Sequence, residues 1–236
     1  MSPARSRRTG KGNEVNGADG NSRFRIRPYE PRDRPAVRDI CAACAWMGRP
    51  DPSHTPDPWI WSEFWTRYFT DREPRHTWMV DAPEGQLGYL TGTLDATCVD
   101  RYLPWLVPGI VWRAARRRLL RRPTSRALIR GMLASVARGE MSPPDGVREA
   151  CPATFHVNLL PEARGGGLGR RLIEAFLERM RKLGVRGVHV QNLSINAAAR
   201  RCIRRVGFRL AASRRLTAYA RVDPQTIDVQ TWTLLL

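Results

Sequence analysis

The feature that most constrains the fold of this chain is a glycine-rich turn between a strand-like and a helix-like segment. Residues 161–169 read Pro-Glu-Ala-Arg-Gly-Gly-Gly-Leu-Gly, and they follow a run with apolar Phe155, Val157 and Leu159. Apolar residues then recur at helical spacing, at Leu168, Leu172, Phe176, Met180 and Leu183. A strand–turn–helix unit of this kind directs several backbone N–H groups into one small space at the positive end of the helix dipole. The natural occupant of that space is a phosphate or diphosphate.

The glycine spacing excludes the two commonest phosphate-binding loops. A P-loop ends in Gly-Lys-Ser/Thr, whereas Gly169 is followed by two arginines. A dinucleotide-binding fingerprint requires Gly-x-Gly-x-x-Gly, and Arg170 stands where the third glycine belongs when the frame starts at Gly165. The remaining pattern is Arg164-x-x-Gly167-x-Gly169. A plain strand-to-helix connection is the alternative, but consecutive glycines weaken a backbone unless something must approach it closely.

This pattern resembles the acyl-CoA diphosphate loop of the GNAT acetyltransferase superfamily, Arg/Gln-x-x-Gly-x-Gly/Ala. Farther along the chain, Asn196-Ala-Ala-Ala199 and then Val206-Gly207-Phe208 are similar to the family's segment in which an Asn opens a helix and a Gly-Phe pair ends it. The resemblance is clear over residues 152–212 and fainter over 24–95. It implies an α/β fold: a mixed, mostly antiparallel sheet of six to seven strands, splayed between strands 4 and 5, with helices on both faces and a helical insertion between strands 3 and 4.

The resemblance also implies an acetyl-CoA-dependent N-acetyltransferase that transfers acetyl directly to an amine. The diphosphate would be held by backbone N–H groups of the turn and by arginines nearby, and the pantetheine arm by the end of the fourth strand and the start of a later helix. The residues assigned in this way are Leu159, Leu160, Arg164, Gly165, Gly166, Gly167, Leu168, Gly169, Arg170 and Asn196.

The catalytic assignments concern three residues. His156 lies in the predicted fourth strand and is the candidate base, since imidazole titrates near neutral pH; a purely structural histidine is the alternative. The motif His156-x-Asn158-Leu-Leu-Pro is similar to a GNAT subgroup that commonly carries Asp where Asn158 stands, and Asn cannot take a proton. The family's tyrosine acid is replaced by Ile203, so Tyr219 of the last hairpin is the substitute candidate. These departures leave a catalytically weak or silent module that binds CoA or a partner as an alternative function.

The charge distribution raises a second alternative. The 236 residues carry a net charge of +18, and eight arginines with no acidic residue lie between Arg113 and Arg130. The positive field of such a segment attracts an anionic amine-bearing acceptor, a nucleic acid or an acidic membrane surface. The alternative interpretation is that the arginines simply form a solvated helix face. The preceding Tyr102–Trp112 segment is apolar and resembles an interfacial helix. Its two residues Pro104 and Pro108 predict that it does not form one long helix.

The domain organisation is predicted as a disordered tail over 1–22 and a single GNAT domain over 23–236, with the insertion at 97–148. No metal site is expected, because Cys41 and Cys44 lack a second ligand pair, and core packing is favoured for them.

An aromatic segment over 59–69 is expected to pack in the core. The alternative is that its stripe of Trp61, Trp65 and Tyr68 forms the floor of an acceptor pocket. No apolar run is long enough for a membrane span and no signal-peptide pattern is present, so a cytoplasmic protein is expected; the sequence does not indicate an oligomeric state.

Overall fold

The computed structural model describes residues 23–236, in which seven strands form two sheets. The predicted disordered tail, residues 1–22, lies outside the described residues. The first sheet has the order β1-β2-β3-β4 and consists of β1 (Arg25–Pro28), β2 (Thr77–Ala82), β3 (Gly85–Thr93) and β4 (Thr154–Leu159). The second sheet has the order β5-β7-β6 and consists of β5 (Gly187–Leu193), β6 (Arg209–Arg215) and β7 (Asp228–Leu235). All neighbouring strands within the two sheets are antiparallel.

Seven α-helices connect these strands in the described part of the chain: α1 (Arg34–Ala43), α2 (Pro58–Arg72), α3 (Ala96–Arg116), α4 (Pro123–Ala137), α5 (Val147–Ala150), α6 (Leu168–Lys182) and α7 (Ala197–Val206). Short 3-10 turns lie at Pro31–Asp33, Pro74–His76, Leu119–Arg121 and Pro161–Ala163. Helices α3 and α4 form the insertion between β3 and β4. The predicted fold class is therefore confirmed, with a mostly antiparallel α/β architecture that is divided between β4 and β5.

The alternation of residues along β4 separates the core from the polar side of the sheet. Phe155 packs against Phe176 of α6 at a ring separation of 5.5 Å, and Val157 and Leu159 join the same apolar cluster. Close packing there requires a glycine in β3, since a Cβ on Gly92 would lie 2.3 Å from the Phe176 ring. The intervening His156 points to the other side, because successive side chains of a strand alternate between the two faces.

Helix α3 corrects the expectation that Pro104 and Pro108 divide this segment. Both prolines lie inside one 21-residue helix, on its exposed side. Each removes one helical N–H donor, but contacts on the inner side compensate for that loss. Leu106 is buried, and the Arg113 guanidinium donates to the Asp57 carboxylate at 3.0 Å. Tertiary packing therefore outweighs the local effect of the prolines.

Candidate active site

The two sheets meet at a single point between β4 and β5. The Ala153 N–H donates to the Gly187 carbonyl at 3.4 Å, and the His189 N–H donates to the Ala153 carbonyl at 2.9 Å. Ala153 and Val188 form an isolated parallel bridge, beyond which the two strands belong to different sheets. The strands therefore separate toward the end of β4, and the turn leading into α6 lies at that end. The regular pairing of β4 with β3 begins at Thr154, because the preceding Ala153 pairs with β5 instead.

The glycine corner, residues 165–170, presents unpartnered backbone donors at the start of α6. Gly165 and Gly167 have φ angles of 86° and 75°, a region that favours glycine. A Cβ on either would meet nothing within 4 Å, so the space in front of them is open. No described acceptor receives a hydrogen bond from the six N–H groups of residues 165–170, and no side chain caps the helix. This group of donors at a helix N-terminus fits a diphosphate.

The two arginines that flank the glycine corner have different partners. Arg164 turns back toward the protein, where its Nε donates to the Leu159 carbonyl at 2.9 Å and its Nη2 donates to the Gly48 carbonyl at 2.7 Å. It therefore fixes the end of β4 against the loop after α1. Arg170 is exposed and pairs with Glu174 one helical turn further along, at 2.7 Å. Of the two, only Arg170 is in a solvent-screened pair that an incoming anion can exchange at small cost.

At the end of β4, the backbone groups of Leu159 and Leu160 already have protein partners. The Leu159 carbonyl also accepts from the Cys44 thiol at 3.3 Å, and the Leu160 N–H donates to the Leu87 carbonyl at 2.8 Å. Asn196 is the N-cap of α7, and its Oδ1 accepts from the Ala199 N–H at 3.0 Å. The contacts of these three residues with a pantetheine arm stay predictions. Unlike the glycine corner, they present no set of unpartnered backbone donors.

His156 belongs to a chain of side-chain contacts, the His156 network, formed by Trp65, Tyr89, His156 and Asn158. The His156 ring stacks on Trp65 at 5.3 Å and an interplanar angle of 18°. Its Nδ1 lies 3.1 Å from the Tyr89 hydroxyl, which also accepts from Asn158 Nδ2 at 3.0 Å. His156 Nε2 has no hydrogen-bond partner among the described residues, and the side chain as a whole is half-buried.

The protonation states in this network follow from burial. Desolvation lowers the pKa of His156 to about 4, although part of the side chain's surface stays accessible. Burial and the nearby Cys41 thiol raise the pKa of Tyr89 well above its usual range. At neutral pH both rings are therefore uncharged. The imidazole can accept a proton, and the phenol cannot act as a base.

Tyr219 and the network residues lie in different clusters. Tyr219 is buried beside Trp46 and His54, with ring separations of 4.7 and 5.6 Å, and burial raises its pKa. Its ring contacts include none with His156, whose ring partners are Trp65 and Tyr89. The structure therefore does not join Tyr219 to the candidate base, and its role as an acid stays a prediction.

The remaining candidates have mainly structural surroundings. Ile203 is buried in the main core, and the neighbouring Cys202 Sγ lies 3.6 Å from the Cβ position of Gly169, so α7 packs against the first turn of α6. His189 Nδ1 lies 2.6 Å from the Cys151 carbonyl in a buried position. Cys41 is buried beside Tyr89, as core packing predicts, and no cluster of metal-ligating side chains occurs within residues 23–236.

Sequence reasoning missed Tyr89 and only partly anticipated the aromatic helix. Tyr89 pairs in register with Asn158 across β3 and β4, and this contact follows only once the strand register is known. Within the predicted stripe, Trp61 and Trp65 lie together at 5.7 Å on the side of His156. Tyr68 instead donates to Glu73 at 2.5 Å and packs against Tyr102 of the insertion.

A sheet that divides between β4 and β5, with an open helix N-terminus beside the division, is typical of an acyltransferase. Comparisons of this chain with known proteins agree with that class. The chain belongs to the acetyltransferase (GNAT) family, whose model matches residues 42–208. Among solved structures, SsHAT is 29% identical, with a TM-score of 0.67 over 90% of this chain and 98% of that one.

Two more distant structures share the fold. The polyamine N-acetyltransferase of Drosophila melanogaster is 21% identical, with a TM-score of 0.57 over 90% of this chain and 100% of its own. The Salmonella typhimurium protein yncA, whose structure contains its cofactor acetyl-CoA, is 16% identical, with a TM-score of 0.52 over 91% of this chain and 95% of its own.

Proposed function

We propose that this chain is an acetyl-CoA-dependent N-acetyltransferase that transfers acetyl directly to an amine. The observation that carries the proposal is the glycine corner, where six consecutive N–H groups at the start of α6 have no described hydrogen-bond partner and the space beside Gly165 and Gly167 is open. A diphosphate offers several anionic oxygens to such a group, and the helix dipole adds to the attraction. The family's cofactor supplies a diphosphate, and a structure of yncA contains acetyl-CoA.

The proposed cofactor site runs from the glycine corner along the separation of the two sheets. The N–H groups of residues 165–170 hold the diphosphate, with Arg170 available beside them once its pair with Glu174 is exchanged. The pantetheine arm passes the end of β4 at Leu159 and Leu160. Asn196, whose Nδ2 lacks a described partner, lies at the start of α7 on the other side. When bound, acetyl-CoA supplies an activated carbonyl.

His156 is the proposed acceptor of the amine's proton. Its depressed pKa keeps the imidazole neutral at neutral pH, so Nε2 is able to accept. An imidazole of this pKa is a weak base, but the amine nitrogen becomes more acidic as the new C–N bond forms. A transient acceptor at the right distance therefore suffices, and positioning supplies much of the rate enhancement.

Tyr89 and Asn158 are proposed to set the tautomer of His156. When the imidazole hydrogen is on Nδ1 and is donated to the Tyr89 oxygen, Nε2 carries a lone pair and can accept. Asn158 donates to the same oxygen and holds it in place. An Asn at this position therefore acts through Tyr89 rather than by taking a proton. Its substitution for the subgroup's Asp is compatible with an active enzyme on this account.

Trp65 is proposed as a hydrogen-bond donor to the bound reactants. Its Nε1 is buried without a partner among the described residues, in an indole ring that stacks on His156. An unsatisfied buried donor costs about 1–3 kcal/mol, and a carbonyl or another acceptor on a reactant would recover that cost.

The surroundings of His156 favour an acceptor with one amine on an apolar body. Trp61 and Trp65 supply aromatic surface, while the carboxylates of Glu63 and Asp71 on the same helix are paired with arginines of α1. No carboxylate contacts the described His156 network, so a polycation finds no anionic partner there. The strongly basic chain is also compatible with an anionic group elsewhere on the acceptor.

The proposal is tested by calorimetry with acetyl-CoA and by a transfer assay that follows release of the free thiol. The amine panel compares arylalkylamines and amines bearing a carboxylate with agmatine and spermidine. We expect saturable acetyl-CoA binding and turnover with a monoamine in preference to the polycations. Absence of saturable binding contradicts the proposal. Binding without turnover for any amine would support the silent module instead.

A further inference from the structure

Exposed apolar side chains concentrate on the outer side of the insertion. Trp105 is 79% exposed, Trp112 is 62% exposed and Val111 is 59% exposed. Trp105, Pro108 and Trp112 are spaced by three and four residues, so they form one stripe along α3. Two adjacent exposed indoles with aliphatic neighbours are unusual for a solvated helix face, and such patches mark interaction sites.

The inner side of α3 is anchored, so the exposed stripe is a defined surface. Leu106 is buried against the domain, and Tyr102 packs edge-on against Tyr68 of α2 at 5.5 Å. At the end of the helix Arg113 donates to Asp57 and also lies over the Trp59 ring at 4.7 Å. These contacts fix which side of α3 faces outward.

The stripe continues directly into a cationic segment. Eight arginines and no acidic residue occupy positions 113–130, and Arg116 lies over the Trp112 ring at 5.4 Å. Arg117, Arg121 and Arg122 are exposed and have no ion-pair partner in the described part of the chain. We call the outer stripe of α3 together with these three arginines the tryptophan–arginine surface.

We infer that the tryptophan–arginine surface attaches this protein to an anionic phospholipid membrane. Tryptophan is favoured at the level of the lipid headgroups, aliphatic side chains fill the boundary with the acyl chains, and nearby arginines are attracted by anionic lipids. Within residues 23–236, no helix combines the length and the apolar composition of a membrane span.

Two other occupants fit the surface less well. A second copy of the chain in a two-fold contact would oppose like-charged arginines of both protomers, which is unfavourable. A nucleic acid would use the arginines, but Val111 and the exposed Val107 and Leu120 would gain nothing from a phosphate backbone. A membrane surface uses the apolar and the cationic groups together.

The test measures sedimentation of the full chain with phosphatidylcholine vesicles that contain or lack phosphatidylserine. We expect binding to the anionic vesicles, with a weaker partition to the neutral ones. Arg117→Gln/Arg121→Gln/Arg122→Gln should weaken binding to the anionic vesicles by about 100-fold, because each basic residue contributes about a factor of five. Trp105→Ala/Trp112→Ala should weaken it by at least about tenfold through lost apolar burial.

Matched controls separate this surface from general charge and hydrophobicity. Arg75→Gln/Arg209→Gln/Arg215→Gln removes the same number of exposed charges elsewhere, and Leu183→Ala/Leu210→Ala removes apolar side chains that are 43% and 48% exposed. Both controls should bind vesicles as the parent chain does. Circular dichroism confirms that all variants are folded.

Four outcomes would overturn the inference. Vesicle binding that does not depend on phosphatidylserine removes the role of the arginines, and unchanged binding of the tryptophan variant removes the role of the stripe. A dimer in sedimentation velocity that the tryptophan variant dissociates, without vesicle binding, assigns the surface to a second copy. A salt-dependent affinity for RNA or DNA that the arginine variant loses, again without vesicle binding, assigns it to nucleic acid.

Discussion

The glycine corner and the His156 network are built from different parts of the polypeptide. The corner consists of backbone N–H groups from six consecutive residues, 165–170, and its shape requires only local φ angles. The network consists of side chains from three elements, with Trp65 on α2, Tyr89 on β3 and His156 on β4. Backbone donors do not titrate, whereas the imidazole has its pKa lowered by burial. The difference suggests a division of labour in which the corner determines cofactor affinity and the network determines turnover.

The largest expected effect is on turnover, from His156→Ala. Loss of a general base lowers kcat by about 10²–10⁴-fold. Acetyl-CoA affinity should not change, since the corner amides do not depend on this side chain. Steady-state thiol release and calorimetry on the same preparation measure the two quantities. Near-normal turnover of the variant would show that the network does not perform the chemistry.

The second effect is on affinity, from a charge placed in the corner. Gly167→Asp puts a carboxylate beside the proposed diphosphate, and repulsion at about 5 Å should weaken acetyl-CoA binding by about 10–100-fold. Gly184→Asp is the matched control at the other end of α6, because Gly184 also has a positive φ, 69°, and open space around its Cβ position. Both substitutions carry the same backbone strain, so equal losses of affinity would contradict the location of the cofactor.

Local signals allowed the corner and its helix to be predicted from the sequence. The glycine spacing placed the turn, the apolar spacing placed α6, and Gly207 ends α7 in the expected left-handed conformation, with φ of 106°. These features depend on residues that are near one another in the chain. The direction of the Arg164 side chain was not predictable, because it is set by a carbonyl of the distant Gly48.

The network and the insertion required tertiary information. The Tyr89–His156 contact depends on the register of β3 against β4, and the Trp65 stack depends on how α2 packs over that sheet. The prolines of α3 gave a wrong local prediction, since packing of Leu106 and the Arg113 ion pair hold the helix together. Sequence periodicity cannot reveal contacts of this kind.

A smaller effect on turnover is expected from Tyr89→Phe. The substitution keeps the buried ring but removes the oxygen that lies 3.1 Å from His156 Nδ1 and accepts from Asn158 Nδ2. The active tautomer is then no longer enforced, and kcat should fall by about tenfold. KM for acetyl-CoA should stay constant. A control is Tyr68→Phe, a tyrosine on α2 that bonds to Glu73 rather than to the network; equal loss in both variants would argue against a tautomer role.

The last prediction concerns stability rather than turnover: the pH dependence of unfolding directly checks the electrostatics of the network. His156 has a pKa of about 4 in the folded chain against about 6.5 when unfolded, so the unfolded state binds more protons between these values. The stability that the neutral His156 contributes is therefore lost as pH falls from about 6.5 to 4. This loss in the free energy of unfolding reaches about 2 kcal/mol at about pH 5. His76 and His189, whose pKa values are also lowered by burial, add losses of the same sign.

Comparison of the parent chain with His156→Asn isolates the effect of this one residue. In urea unfolding, the gap between their free energies of unfolding should shift in favour of the variant on acidification. A gap independent of pH would mean that His156 titrates normally, and its environment would then be unlike the buried stack on Trp65.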